Sequence, residues 1–111
     1  MNAVGIDISK GKSMIAILRP CGEIVANPFE ICHTSTEIND LVEHIQTLEG
    51  DTKIVIEHTG RYYEPMARCL TKAGLHVSAV NPKLIKDFGT NSLRKVKTDK
   101  ADSVKIARYA L

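Results

Sequence analysis

Ala3-Val4-Gly5-Ile6 and Ile8 form an apolar run interrupted only by Asp7, and such a run reads as a strand buried on both faces over residues 2–9. Lys10-Gly11 makes a tight turn, and Lys12–Leu18 reads as a second strand running back. Arg19-Pro20-Cys21-Gly22 supplies the next turn, and Glu23–Ile31 a third strand in which Pro28 signals an edge or a bulge. The period then changes from two to that of a helix. Ile38, Leu41, Val42, Ile45 and Leu48 fall on one stripe between Thr34 and Leu48, Thr34-x-x-Glu37 has the form of a capping box, and Gly50 ends the element. Lys53–Glu57 reads as a short buried strand. After the Thr59-Gly60 turn a helix is predicted from about Tyr62 to Ala73, stopped by Gly74, and Leu75–Val80 reads as a fifth strand. Asn81-Pro82 is an N-cap and N1 pair for a short helix to about Phe88. Residues 89–98 are polar and basic, and a last helix starts near Asp99.

The predicted order is βββαβαβα with one further helix. Three strands joined by short turns make an antiparallel meander, whereas strands alternating with helices pair in parallel. This order matches the ribonuclease H-like fold, an α/β arrangement with a mixed five-stranded sheet flanked by helices. In that fold the first and fourth strands lie side by side, so Asp7 and Glu57 are expected to be neighbours at the carboxyl ends of their strands.

The 111 residues suit a single domain spanning 1–111, enough to bury about two thirds of the unfolded surface. No apolar run approaches the ~18 residues of a membrane span, and Asp7 would break a signal-peptide core. Cys21, Cys32 and Cys69 are odd in number and widely spaced, which fits a reduced cytosolic protein and argues against zinc. The helical pattern still runs at Tyr109-Ala110-Leu111, so the chain reads as part of a longer protein. The net charge of +2 conceals an asymmetry. Residues 1–82 carry seven Lys/Arg against ten Asp/Glu, and residues 83–111 carry eight against three. The basic final third suggests a polyanionic partner, although a charge bias of this kind also serves simply as a solvated face.

Four carboxylates carry the candidate chemistry. Asp7 and Glu57 sit on apolar strands, where an uncompensated charge is costly. Asp99, Asp102, Ile106 and Tyr109 recur at helical spacing, so the two aspartates extend the face that Ile106 turns to the core. Alone, Asp99 is explained as an N-cap and Asp102 by the helix macrodipole. Together the four acids repel, and a bound divalent cation is the usual remedy. Two Mg²⁺ or Mn²⁺ ions about 3.5–4 Å apart would fit phosphoryl-transfer chemistry, with Asp7 best placed to bridge them. Arg94, Lys95, Lys97 and Lys100 adjoin the acidic pair and are candidates for the nucleic-acid backbone, with a solvated loop as the alternative. Ser9 shares the Asp7 face but also suits a turn. His58 is expected on the opposite face from Glu57. Tyr62 and Tyr63 are candidates for base stacking, with helix packing the plainer role for at least one of them.

Val4-Gly5-Ile6-Asp7-Ile8-Ser9-Lys10, Ile56-Glu57-His58-Thr59-Gly60, Val80-Asn81-Pro82 and Lys97-Thr98-Asp99-Lys100-Ala101-Asp102 together resemble the N-terminal domain of insertion-sequence 110 family transposases. These are DEDD recombinases related to the Piv and MooV DNA invertases, and the resemblance covers nearly the whole chain. It implies a RuvC-like catalytic domain whose tetrad Asp7, Glu57, Asp99 and Asp102 binds Mg²⁺. It further implies a separate C-terminal domain with a serine nucleophile, so neither Ser92 nor Ser103 takes that role. A structured guide RNA, DNA as substrate and a homo-oligomer are implied in the same way.

Three other readings compete. A stand-alone RuvC-like nuclease acting on branched DNA shares the tetrad. An actin-like ATPase or sugar kinase shares Gly5-Ile6-Asp7-Ile8-Ser9, but the chain lacks a second glycine-rich phosphate segment and Asp99 and Asp102 would be unexplained. A nucleic-acid-binding module without chemistry would be insensitive to Mg²⁺.

Overall fold

Strict alternation on β1 (Asn2–Ser9) sends Val4, Ile6 and Ile8 to one side of the sheet and Ala3, Gly5 and Asp7 to the other. The computed structural model describes residues 2–9, 11–48, 50–57, 63–80 and 99–110, with side chains from Ser103 onward in the last stretch and backbone alone at 26 and 27. The predicted short helix after Asn81-Pro82, the basic loop, His58, the Thr59-Gly60 turn and Tyr62 lie outside the described residues.

β2 (Lys12–Leu18) returns antiparallel to β1 through a turn in which Gly11 has φ +79°, a value that favours glycine. Gly22 N–H donates to the Arg19 carbonyl at 2.8 Å to close the next turn, and Arg19 N–H donates to the Glu23 carbonyl at 2.8 Å. Glu23 thus belongs to the turn, and β3 runs Ile24–Cys32, one residue later than the periodicity suggests. β3 is an edge strand, and its register with β2 slips between the Ile15↔Phe29 and Ile17↔Ala26 pairs. Pro28 falls within that irregularity, where its missing N–H costs no ladder bond.

Helix α1 (Ser35–Gln46) starts at the expected cap: the Thr34 hydroxyl accepts from Glu37 N–H at 3.3 Å. Its stripe buries Ile38, Leu41 and Ile45, with Val42 and Leu48 partly covered. β4 (Thr52–Glu57) follows, then α2 (Glu64–Lys72) with Tyr63 at its N-cap, β5 (His76–Val80) and α3 (Asp99–Ala110). α2 ends in a Schellman motif. Leu75 N–H bonds the Leu70 carbonyl at 3.2 Å and Gly74 N–H the Thr71 carbonyl at 3.0 Å, with Gly74 at φ +83°.

The strand order is β3-β2-β1-β4-β5. β1 pairs with β4 and β4 with β5 in parallel, while β2 is antiparallel to both its neighbours, as the element order predicts. α1 and α2 cover one face, where Val4, Ile6, Ile15, Ile17, Ile54 and Ile56 meet Ile38, Leu41, Ile45, Met66 and Leu70. α3 covers the other, packing Ile106, Ala107 and Ala110 against Ala3, Ala16, Leu18 and Val55.

That second layer is unusually close. A Cβ built on Gly5 would overlap the backbone of Ser103 and Ala107 and stand 2.8 Å from the Ala107 Cα. Backbone cannot swing aside as a side chain does, so even a methyl group must displace α3. Gly5→Ala is expected to destabilise the fold by about 1–3 kcal/mol or more in chemical denaturation, the usual range for overpacking. A loss under about 0.5 kcal/mol, the scatter of neutral surface changes, would show that α3 is not seated on Gly5.

His33, just beyond β3, lies with Nε2 2.6 Å from the buried Ser13 hydroxyl. Burial pushes its imidazole below the ordinary 6.5. The unfolded chain therefore takes up the proton first, and the neutral-histidine contribution is complete above 6.5 and lost as pH falls through the folded value. His33→Gln should flatten the fall of Tm on acidification below about pH 6.5, with the measured Tm–pH curve deciding. An unchanged slope would exclude His33 as its source.

Candidate metal and nucleic-acid site

Asp7 and Glu57 are Cα partners in the parallel ladder of β1 and β4. Adjacent strands lie about 4.8 Å apart, and register partners project to the same face. Two residues back, Gly5 faces α3 and Val55 packs in the α3 layer, so Asp7 and Glu57 emerge on the α3 side of the sheet. Both are partly exposed, in contrast to the fully buried Ile6 and Ile56 beside them. The strand ends thus deliver two carboxylates from an apolar sheet to its open carboxyl edge. Two negative charges this close repel, and a cation between them relieves the repulsion.

Asp99 and Asp102 fall in the first turn of α3, the helix lying on that same face. The buried positions Ser103, Ile106, Ala107 and Ala110 fall at i, i+3, i+4 and i+7, the spacing of a packed helical face. Asp99 and Asp102 precede Ser103 and Ile106 by four, on the same stripe of the helix. Among the described residues no group of three or more His, Cys, Asp or Glu side chains comes together to hold a metal. Lys100 lies in the backbone of the first turn of α3, whereas Arg94, Lys95 and Lys97 lie outside the described residues.

Among the other candidates that lie within the described residues, Ser9 and Tyr63 make structural contacts. The Ser9 hydroxyl donates to the Lys12 carbonyl at 3.2 Å across the β1–β2 turn. Tyr63 packs against the core beneath α1 and α2. His44 meets Phe29 edge-on, with ring centroids 6.2 Å apart. Cys21, Cys32 and Cys69 are free and exposed. The charge of Glu37 pushes the exposed Cys32 thiol above its ordinary range, with slight desolvation, a hydrogen bond to Glu37 and the charge of Glu30 acting the same way and Lys12 opposing them. A thiol held protonated is a poor nucleophile.

An open groove of about 530 Å³ is lined by Ile45, Leu48, Thr52, Gly74, Leu75 and His76. It lies at the amino ends of β4 and β5, opposite the acidic pair. Open parallel sheets bind ligands outside the carboxyl ends of their strands, so the acidic end, not this groove, is the candidate site. No helix among the described residues is long and apolar enough to cross a membrane. Gly5 is the site-shaping residue the sequence reading passed over; a glycine inside an otherwise branched, buried strand is the signal that marks it.

Comparison with known proteins agrees with this fold. The family model for DEDD transposases of insertion sequence 110, described as "Transposase", matches residues 4–111. The pilin gene-inverting protein of Moraxella lacunata is 30% identical over 112 residues, taking in 96% of this chain and 33% of the relative. The chain therefore spans about a third of the length of that relative. Thermus thermophilus RuvC bound to a Holliday junction substrate superposes with a TM-score of 0.67 at 12% identity, covering 96% of this chain and 90% of RuvC. A second RuvC structure from Thermus thermophilus gives the same TM-score and covers 91% of that chain. At this identity the likeness is one of fold, ribonuclease H-like with a mixed sheet flanked by helices. The match across residues 4–111 carries the classification: the chain belongs to the DEDD transposase family of insertion sequence 110.

Proposed function

We propose that this chain is the metal-binding, RuvC-like catalytic domain of a recombinase that cuts and rejoins DNA, with Asp7, Glu57, Asp99 and Asp102 as its tetrad. The observation that carries the reading is the register of Asp7 with Glu57 on the face that α3 covers. The topology supports the other half of the tetrad. The packed part of α3 shares its cluster with Ala3 and Leu18, at the beginning of β1 and the end of β2. Its first turn then leads toward the opposite end of that face, where Asp7 and Glu57 emerge.

The donor set suits Mg²⁺ or Mn²⁺, since hard carboxylate oxygens on rigid strands and a helix match a hard cation. When bound, a pair of such ions polarises a phosphodiester and stabilises its leaving oxygen. The chain's own part is positional. Asp7, on the strand flanked by β2 and β4 near the middle of the sheet, would supply carboxylate oxygens to the cations. Glu57, Asp99 and Asp102 would complete the set of carboxylates that holds them. Arg94, Lys95, Lys97 and Lys100 offset the charge of the DNA backbone that must approach four acids. The attacking serine belongs to a further domain, and the isolated chain is inactive in full recombination. An element-encoded structured RNA guides the complete protein, which acts as a homo-oligomer in the cytoplasm at the nucleoid. The likeness to RuvC supports one second reading, a stand-alone nuclease resolving branched DNA. Metal-dependent nicking of a four-way junction by this chain alone would favour it.

Mg²⁺ or Mn²⁺ should raise the Tm of the chain in a concentration-dependent way, equivalent to about 2.7 kcal/mol at 100 times Kd. Asp7→Asn should abolish that rise, and Glu57→Gln, Asp99→Asn and Asp102→Asn should each weaken it. A melt indifferent to either cation would sink the metal site. DNA affinity should fall steeply with salt, and replacing Arg94, Lys95 and Lys97 together by glutamine should lower the slope of log affinity against log salt by about 2.7, the value for three phosphate contacts. An unchanged slope would exclude these residues from the interface.

A further inference from the structure

We propose that Lys12 is a phosphate-binding residue at the rim of the acidic site, held aside by Glu30 until a nucleic-acid phosphate replaces that carboxylate. The inference rests on the reading of the chain as a DNA-acting domain and adds a contact that no motif indicates. Glu57, Asp7, Met14 and Glu30 are successive register partners across four adjacent strands. They form one row on one face, about 14 Å long at the usual strand spacing. Ser9, Lys12 and Cys32 form the next row, two residues nearer the open end of β1 and about 7 Å further on. Lys12 is thus a cation just outside two acids on the same face. Lys53, the other lysine described on a strand, lies in the Ala3 row at the opposite end.

The Lys12 ammonium sits 3.5 Å from Glu30 Oε2, with the side chains 51% and 45% exposed. So exposed a pair contributes little to stability, because water screens it and two long side chains must be ordered to form it. Its consequence here is directional. Met14 separates Glu30 from Asp7 in the row, so Glu30 draws the ammonium to the side of β2 away from Asp7 and Glu57. A flexible lysine free to fold onto those acids would compete with a divalent cation for them. When a DNA strand reaches the site, its phosphate exchanges for the Glu30 carboxylate on the same ammonium. The exchange keeps Lys12 paired throughout and releases the counterion condensed on that phosphate.

Binding of a short fluorescein-labelled DNA duplex to this chain, measured across salt concentrations, tests the proposal. Lys12→Gln should weaken binding about eightfold near 0.1 M salt, the counterion-release value for one contact, and lower the salt slope by about one. Lys72→Gln, at the exposed end of α2 over the other face, controls for general loss of positive charge and should change affinity less than twofold. Glu30→Gln should tighten binding, and that gain should vanish in the Lys12→Gln background, because it acts by freeing the ammonium. Equal losses for Lys12→Gln and Lys72→Gln, or a Glu30→Gln gain that persists without Lys12, would overturn the assignment while leaving the DNA-acting reading intact. If the unmodified chain fails to bind DNA at low salt, both fall together.

Discussion

No side chain separates β1 from α3 at Gly5: the sheet and the helix meet backbone to backbone, with Ser103 and Ala107 against the glycine. Everything at the candidate site depends on that approach. Small residues on both surfaces, Ala3 and Ala16 on the sheet and Ala107 and Ala110 on the helix, keep the layer thin. A thin layer brings the first turn of α3 close to the plane from which Asp7 and Glu57 project. The opposite face is built on other terms, with isoleucine, leucine and methionine filling a thicker core beneath α1 and α2. The sheet is therefore asymmetric by design of its side chains: one face supplies apolar burial, the other brings a helix near two acids.

The acidic pair and that close layer are parts of one arrangement. Carboxylates at the ends of parallel strands are tolerated because they emerge at an open edge, partly exposed, rather than in the core. The glycine two residues earlier on β1 lets the helix seat beneath them. Next to them the same face carries a hairpin whose outermost row holds Lys12 and whose inner row ends in Glu30. Charge on this face thus runs in order from the paired acids, across Met14, to a lysine–glutamate couple. Such an order suits the proposed function, in which the site attracts a cation and then accommodates a polyanion.

Much of the fold was legible from local chemistry. Thr34 and Glu37 marked the start of α1, Gly74 the end of α2, and Pro28 the irregular edge strand, each because the relevant energy lies within a few residues of chain. The order of strands and helices then led to the adjacency of β1 and β4, and hence of Asp7 and Glu57, since few connections satisfy that order. Small boundary shifts followed from hydrogen bonds that composition does not reveal, as where the Glu23 carbonyl is held by Arg19 and β3 begins one residue later. Gly5 was visible as a residue but not as a contact, because its role depends on a helix nearly a hundred positions away.

By itself the sequence determined the kinds of element, their order and the helical phase shared by Asp99 and Asp102. Those properties arise from period, capping and turn residues, which act over short stretches of chain. Only the tertiary structure decided the exact register that makes the expected neighbours Asp7 and Glu57 ladder partners, that Gly5 receives α3, and that Lys12 and Glu30 flank the acids on the same face. The reason is register. A slip of one residue between strands reverses every side chain across the sheet, and that choice is made by the joint packing of both faces rather than by any single segment.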